Sequence, residues 1–341
     1  MPVRKTLYFT APGQVELRKE SLPAPAPDQV LVESLCSAIS SGTEMLVYRG
    51  QFPRDMPVDE SIPALSGQFQ YPFCYGYACV GRVLELGKSV AQEWVDRFVF
   101  SFQPHSSHFV TIPDQLFPLP EDVSPENACL LPNMETAVNL VQDAAPILGE
   151  RALVFGQGIV GLLTTALLAD FPLAYLVTCD CYQLRREASL SLGVTAALDP
   201  NAADFRERLR EVLPSGADLS IELSGSPAAL DDAIALTGFG GRVVIGSWYG
   251  EKKAGLYLGG AFHRSRIRLI SSQVSTIAPE LRGRWDKARR FQVAWEALER
   301  IHPEKWITHR IPLDEAEKAY RMLDENPQET IQVILQYSYG I

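Results

Sequence analysis

The run Gly156-Gln157-Gly158-Ile159-Val160-Gly161 places three glycines where an apolar strand, Ala152 to Phe155, gives way to an apolar helix, Val160 to Ala169. That spacing suits the binding of a pyrophosphate. The first glycine permits the tight turn, the second lets the backbone approach the phosphates, and the third lets the helix pack closely on the strand. The phosphates then meet unsatisfied N–H groups and the positive end of the helix dipole. Asp180 stands at the end of the next apolar strand, Tyr175 to Cys179, where a carboxylate accepts hydrogen bonds from both hydroxyls of an adenosine ribose. Arg185 and Arg186 pull the other way, because a guanidinium can pair with a ribose 2′-phosphate, yet the neighbouring carboxylate repels that group. NAD is therefore expected ahead of NADP.

A loop of this kind needs alternating strands and helices around it. The sequence continues with helices at Leu184 to Leu192, Ala203 to Leu213 and Ala228 to Leu236, and with strands at Leu219 to Leu223, Arg242 to Ile245 and Ile267 to Ile270. Such alternation predicts an α/β unit with a doubly wound parallel sheet. The first third has a different texture. Short strands at Val30 to Leu35, Cys79 to Leu86, Arg97 to Ser101 and Phe109 to Ile112, punctuated by Pro- and Gly-bearing loops, predict a β-rich, barrel-like domain. A helical stretch, Trp285 to Arg300, and strand-like pieces at Thr308 to Ile311 and Thr330 to Gln336 can complete that first domain.

Composition narrows the partners. A formal net charge of -10 over 341 residues repels nucleic acid and anionic membrane surfaces, leaving a small molecule as the expected ligand. No signal peptide or membrane-length apolar stretch is visible, and six cysteines without C-x-x-C pairing read as free thiols in a reducing, cytoplasmic setting.

Several further segments occur in order: Ser41-Gly42-Thr43-Glu44, Gly76-Tyr77-Ala78-Cys79-Val80-Gly81-Arg82-Val83, Asp96-Arg97-Phe98-Val99, Ser224-Gly225-Ser226, Gly240-Gly241-Arg242-Val243-Val244 and Ile311-Pro312-Leu313-Asp314-Glu315-Ala316. Together with the glycine loop they resemble the medium-chain dehydrogenase/reductase superfamily over nearly the whole chain. The resemblance implies a GroES-like catalytic domain split between residues 1–133 and 269–341, around a Rossmann domain at 134–268. It also implies a homodimer. Zinc-dependent members carry metal ligands where this chain has Ser41, Tyr77, Ala78 and, near the last position, Pro132, and the four cysteines of a structural zinc lobe are missing between Phe100 and Phe109. Neither a serine hydroxyl nor an ordinary phenol replaces thiolate, imidazole and carboxylate on zinc, so no zinc is expected at either site. The S/T-G-T-E segment and the tyrosine after Gly76 are similar to the branch around bacteriochlorophyllide a dehydrogenase, which implies a bulky cyclic alcohol as substrate.

By the same resemblance Thr43 matches the hydroxyl that relays the substrate's proton, and Tyr77 fills a metal-ligand position where it can donate to an alkoxide or, with a phenol brought toward neutrality, take a proton. Glu44 matches an acid behind the metal, here orienting Thr43 or pairing with an arginine. His105 and His108 lie on a loop that runs near the active cleft, where an imidazole can shuttle protons or simply face solvent. Thr136 and Ser272 match positions beside the nicotinamide, and Ser224 and Gly246 complete the implied cofactor set. The aromatic run Phe52, Phe69, Tyr71, Phe73 and Tyr75 either caps an apolar pocket or anchors its own loop. Two other readings stand beside the NAD-dependent alcohol dehydrogenase: a quinone or enoyl reductase using NADPH, and a non-catalytic dinucleotide sensor.

Overall fold

The computed structural model describes residues 3–59 and 61–337. Two compact units share the chain: one takes it as far as Pro132 and again from Leu298, the other holds Asn133–Ala297.

The first unit opens with β1 (Val3–Ala11) and β2 (Gln14–Ser21), an antiparallel hairpin, followed by β3 (Val30–Ile39) and the short helix α1 (Thr43–Tyr48). After a long loop come β4 (Phe73–Cys74), paired with β1, then β5 (Cys79–Leu86), β6 (Phe98–Ser101), β7 (His108–Thr111) and β8 (Phe117–Pro118). The Ser124 hydroxyl caps helix α2 (Pro125–Ala128), accepting the Asn127 N–H at 3.2 Å, and α3 (Leu131–Ala144) leads the chain onward.

The second unit alternates β9 (Arg151–Phe155), α4 (Ile159–Ala169), β10 (Tyr175–Cys179), α5 (Gln183–Leu190), β11 (Ala196–Leu198), α6 (Phe205–Val212), β12 (Ala217–Glu222), α7 (Pro227–Leu236), β13 (Thr237–Ile245) and β14 (Arg268–Ser271). Its six strands run in the order β11-β10-β9-β12-β13-β14, every pair parallel. The central strands β9 and β12 are buried on both faces; β9 accordingly reads as an apolar run, whereas β12 alternates and its buried Ser220 and Glu222 are hydrogen-bonded. Strand β11, only three residues long, carries no pattern that the sequence analysis could detect.

Helix α8 (Lys287–Ile301) brings the chain back to the first unit, where β15 (Ile307–Pro312), α9 (Ala316–Glu325) and β16 (Gln332–Gln336) finish the barrel. The larger sheet runs β15-β16-β3-β5-β6-β8, with β7 also on β3. The α/β class, the split β-rich domain and the parallel Rossmann sheet are thus as expected. Among the described residues no helix is long and apolar enough to cross a membrane, and all six cysteines are free.

The return to the first unit comes at Leu298, later than the 269 expected from the sequence. The reason lies in buried Arg290 of α8. Its guanidinium donates to Glu135 Oε1 at 2.8 and 3.1 Å, to Asn139 Oδ1 at 2.6 Å, and to the Thr276 and Val274 carbonyls, so segment and helix stay with the second unit. The aromatic run is likewise settled by packing. Phe52, Phe69 and Tyr75 are buried in the first unit's core with Phe9, Tyr48 and Tyr320; the Phe52 and Phe69 rings stack at 4.6 Å, and Tyr71 and Phe73 pack against the same cluster. These rings anchor the loop to its own domain.

Replacing Arg290 by alanine strands the Glu135 carboxylate, with only half-exposed Lys287 at 3.4 Å in compensation. The expected cost is about 3 kcal/mol, read as a lower midpoint of equilibrium urea unfolding; an unchanged midpoint would deny the ion pair its structural role.

Candidate functional site

In the second unit the glycine loop joins β9 to α4. Gly156 has φ of +88°, and a Cβ there would sit 2.6 Å from the Leu223 carbonyl carbon and the Ser224 nitrogen. A Cβ on Gly161 would lie 2.0 Å from the Gly156 oxygen. Gly158 differs, since a Cβ there would meet only Arg185 Nη1, at 3.9 Å. Two glycines are therefore required by the protein's own packing, whereas the middle one leaves open space. That is the arrangement a dinucleotide's pyrophosphate needs, at the start of a helix that no side chain caps. Ile159 and Val160 form the first turn of that helix. Gln157 is buried and braces the loop: its amide donates to the Gly156 carbonyl and accepts from Thr165 Oγ1, both at 3.0 Å.

Asp180 lies just past β10 with its carboxylate turned to the loop, accepting the Gln157 N–H at 2.7 Å and the Tyr182 N–H at 2.9 Å. The remaining lone pairs of both oxygens are left for ribose hydroxyls. Arg185 stands 4.0 Å from Asp180 Oδ2 with its guanidinium over the Tyr182 ring, while Arg186 is turned away onto the Asp180 carbonyl and the Asp199 carboxylate.

The other implied cofactor residues are braced from within the unit. Ser224 donates its hydroxyl and its N–H to buried Glu222, which also takes the Gly225 N–H and the Tyr249 hydroxyl. Gly246 is required by packing, since a Cβ would come within 2.4 Å of Leu140 Cδ2. The Ser272 hydroxyl donates to Asp143 at 2.6 Å and accepts from Asn139 at 2.9 Å, so it is held inside the unit. Thr136 is partly buried on α3.

The candidate catalytic residues gather in the first unit. The Tyr77 hydroxyl donates to Ser40 Oγ at 2.7 Å, and the same oxygen accepts the Thr43 N–H at 3.3 Å. Burial pushes the Tyr77 phenol up to about 12, opposed by its hydroxyl contacts with Ser40 and Thr43. The phenol therefore stays protonated near neutral pH and acts as a donor; the alternative of Tyr77 as a base is withdrawn. Glu44 is completely buried and pairs with His105 instead of an arginine: His105 Nε2 lies 2.9 Å from Oε2, which also accepts the Tyr320 hydroxyl at 2.6 Å, while Oε1 accepts the Ser40 N–H at 2.8 Å. His105 is itself completely buried, so neither the solvent-facing loop residue nor an open proton shuttle describes it. Its Nδ1 meets Ser37 Oγ at 2.6 Å, and Ser37 Oγ meets the Tyr337 hydroxyl at 2.7 Å. His108 is half-buried at the start of β7, with burial lowering its pKa.

Ser37, Ser40, Tyr320, Tyr337 and Glu222 escaped the sequence analysis. Ser40 sits beside the Ser41-Gly42-Thr43-Glu44 motif and was open to inspection; the two tyrosines come from the far end of the chain and carry no local signal. At the four positions where the resemblance implies zinc ligands, the chain offers a hydroxyl, a donor phenol, a methyl and a proline. Among the described residues no group of three or more His, Cys, Asp or Glu side chains is placed to hold a metal. That donor set does not fit zinc.

Comparison with known proteins agrees with this architecture. A model of the family described as zinc-binding dehydrogenase matches residues 160–292. D-guloside 3-dehydrogenase of Escherichia coli K12 is 23% identical, the match covering 96% of this chain and 99% of that protein. The apo structure of zinc dependent alcohol dehydrogenase 2 from Streptococcus pneumonia superposes with a TM-score of 0.80 at 20% identity, over 99% of each chain. A short chain alcohol dehydrogenase from Escherichia coli CFT073, complexed with the cofactor NADH, gives 0.78 at 18% identity over 98% of this chain and 99% of that one. The chain thus shares the fold of these alcohol dehydrogenases and, over residues 160–292, the sequence pattern of the zinc-binding dehydrogenase family. Its class is that of the NAD(P)-dependent oxidoreductases.

The glycine geometry separates binding from folding. Gly158→Ala is expected to keep the wild-type melting temperature and weaken NADH binding at least about tenfold, as a methyl enters the open face. Gly156→Ala, forced to a positive φ, is expected to lose about 1–2 kcal/mol or more of stability. Fluorescence titration and thermal melts check both; equal NADH affinity for G158A and wild type would contradict the assignment of the loop.

Proposed function

We propose that the chain is a zinc-independent, NAD-preferring dehydrogenase that interconverts a secondary alcohol and its carbonyl, with the Thr43 and Tyr77 hydroxyls holding the reacting oxygen. The observation that carries this reading is that the Tyr77 hydroxyl, which meets the Thr43 side chain, shares Ser40 Oγ with the Thr43 N–H, at a place where the residues do not suit a metal. A bound nicotinamide dinucleotide supplies the hydride acceptor or donor. Gly156 and Gly161 shape the turn, Gly158 leaves room for its pyrophosphate, and Asp180 takes the ribose hydroxyls. Tyr77, protonated, turns its O–H from Ser40 Oγ to the oxygen as negative charge develops on it. The partly exposed Thr43 hydroxyl passes the substrate's proton outward.

The aromatic run that suggested a bulky apolar ring packs into the core, which removes the support for such a substrate. A hydroxyl-rich secondary alcohol, the kind of compound named for the D-guloside 3-dehydrogenase relative, is favoured instead. One feature speaks for an NADPH-dependent quinone or enoyl reductase: Arg185 beside Gly158, within reach of a 2′-phosphate. The Asp180 carboxylate 4.0 Å from it speaks against.

NADH is expected to bind at least about tenfold more tightly than NADPH, and the protein as isolated to hold no stoichiometric zinc. An NADPH preference, or one zinc per chain, would overturn the reading. With a sugar or polyol substrate, Tyr77→Phe is expected to lower kcat/KM by about 10²–10³, the usual cost of losing one donor to a developing oxyanion. With the Tyr77 phenol at about 12, the wild-type profile should show no tyrosine-linked fall below pH 10. The sign for stability is the same: a phenol raised by folding contributes fully below its unfolded value near 10, and that contribution is lost as the pH rises through about 12.

A further inference from the structure

The chain of groups behind Ser40 has a direction that can be worked out. Ser37, Glu44, His105 and Tyr320 are completely buried, and Tyr337 is 6% exposed. Among the described residues the Tyr337 hydroxyl has one hydrogen-bonding neighbour, Ser37 Oγ. A buried hydroxyl proton without an acceptor costs about 1–3 kcal/mol, so Tyr337 donates to Ser37. The Ser37 proton then goes to His105 Nδ1, the imidazole carries its hydrogen on Nε2, and that hydrogen points at Glu44 Oε2. Tyr320 donates to the same oxygen and the Ser40 N–H to the other. Every donor in the chain runs toward one carboxylate. Burial holds the Tyr320 and Tyr337 phenols well above their ordinary values, so both keep the protons this direction requires.

The same imidazole fixes the turn that carries Tyr77. Gly76 has φ of +113°, and a Cβ on it would lie 2.7 Å from the His105 ring. The ring thus touches β3 through Ser37, α1 through Glu44 and the Tyr75–Tyr77 segment through Gly76.

We propose that His105 is a positioning residue, held as the neutral Nε2–H tautomer by the donor chain from Tyr337, which clamps Glu44 and through it the Ser40–Thr43 turn that gathers the Tyr77 hydroxyl. Its bearing on catalysis rests on the functional reading above. The clamp itself does not. It assigns His105 one tautomer and no exchange of protons with the substrate.

The test uses the full-length protein. With ¹⁵N-histidine labelling at neutral pH, His105 should show an unprotonated Nδ1 and a protonated Nε2; an imidazolium, or the Nδ1–H tautomer, overturns the clamp as drawn. In His105→Leu, amide exchange at Ser40 and Thr43 should rise at least about tenfold while protected amides of the Rossmann unit stay as they are. His105→Gln, whose amide can still donate to Glu44, should recover most of that protection. A uniform rise across the first unit in both variants would mean a general loss of stability and defeat the proposal. On a turned-over substrate, H105L should lower kcat about 10–100-fold with the KM for NADH within twofold, and H105Q should recover part of it. Wild-type protein that turns over no alcohol, yet shows the expected tautomer and exchange, would leave the clamp standing and remove the functional reading. Turnover untouched by H105L would do the reverse.

Discussion

A carboxylate taken fully out of water is tolerated only when hydrogen-bond donors surround it, and much of the first unit is arranged to provide them for Glu44. The donors come from distant parts of the chain. Ser40 is four residues away on the same turn, His105 lies on the loop before β7, and Tyr320 lies on the C-terminal helix α9. Satisfying one acid therefore ties together α1, the His105 loop and α9. Because Ser40 donates its N–H to Glu44 while its hydroxyl accepts the Tyr77 hydroxyl and the Thr43 N–H, the same constraint that makes the core tolerable also sets the positions of Tyr77 and Thr43.

The second unit solves its own problem with the same device. Asp180 and Glu222 stand at the C-terminal ends of two parallel strands, where backbone N–H groups of the following loops need acceptors. Asp180 takes N–H groups of Gln157 and Tyr182; Glu222 takes those of Ser224 and Gly225 together with the Tyr249 hydroxyl. The loops at the binding edge of the sheet are thereby shaped before any ligand arrives. Preorganised loops bind at a lower entropic cost, and the space beside Gly158 is open.

The losses at the metal-ligand positions look different once the neighbours are known. Tyr77 does not stand in for a histidine ligand; its phenol is a hydrogen-bond donor held to a serine, and burial keeps it one. An imidazole is still present close by, but it comes from position 105 and serves Glu44. On the reading proposed above, such a site would stabilise charge with hydroxyl donors, a milder device than a Lewis acid and one that asks more of placement.

The parallel sheet, the glycine loop with its acid, and the split β-rich domain were legible in the sequence, because each depends on local periodicity or on a short run: apolar strands flanked by helix-length patterns, and glycines at fixed spacing ahead of Asp180. The strand β11, the late return of the chain at Leu298 and the fate of the aromatic loop were not, since a three-residue strand has no period and a buried Arg290 or a stacked Phe52 and Phe69 pair is recognised only by its partners. The same division runs through the candidate site. The family resemblance implied that Thr43, Glu44 and Tyr77 lie beside a vacated ligand set, and the glycine spacing with Asp180 that a nicotinamide dinucleotide suits the loop. Whether Tyr77 is an acid or a base, which residue pairs with Glu44, and that His105 is shut away from water were decided by burial and by tyrosines roughly three hundred residues further along the chain. Protonation and pairing depend on desolvation and on groups brought together across the fold, and neither is written in the order of neighbours.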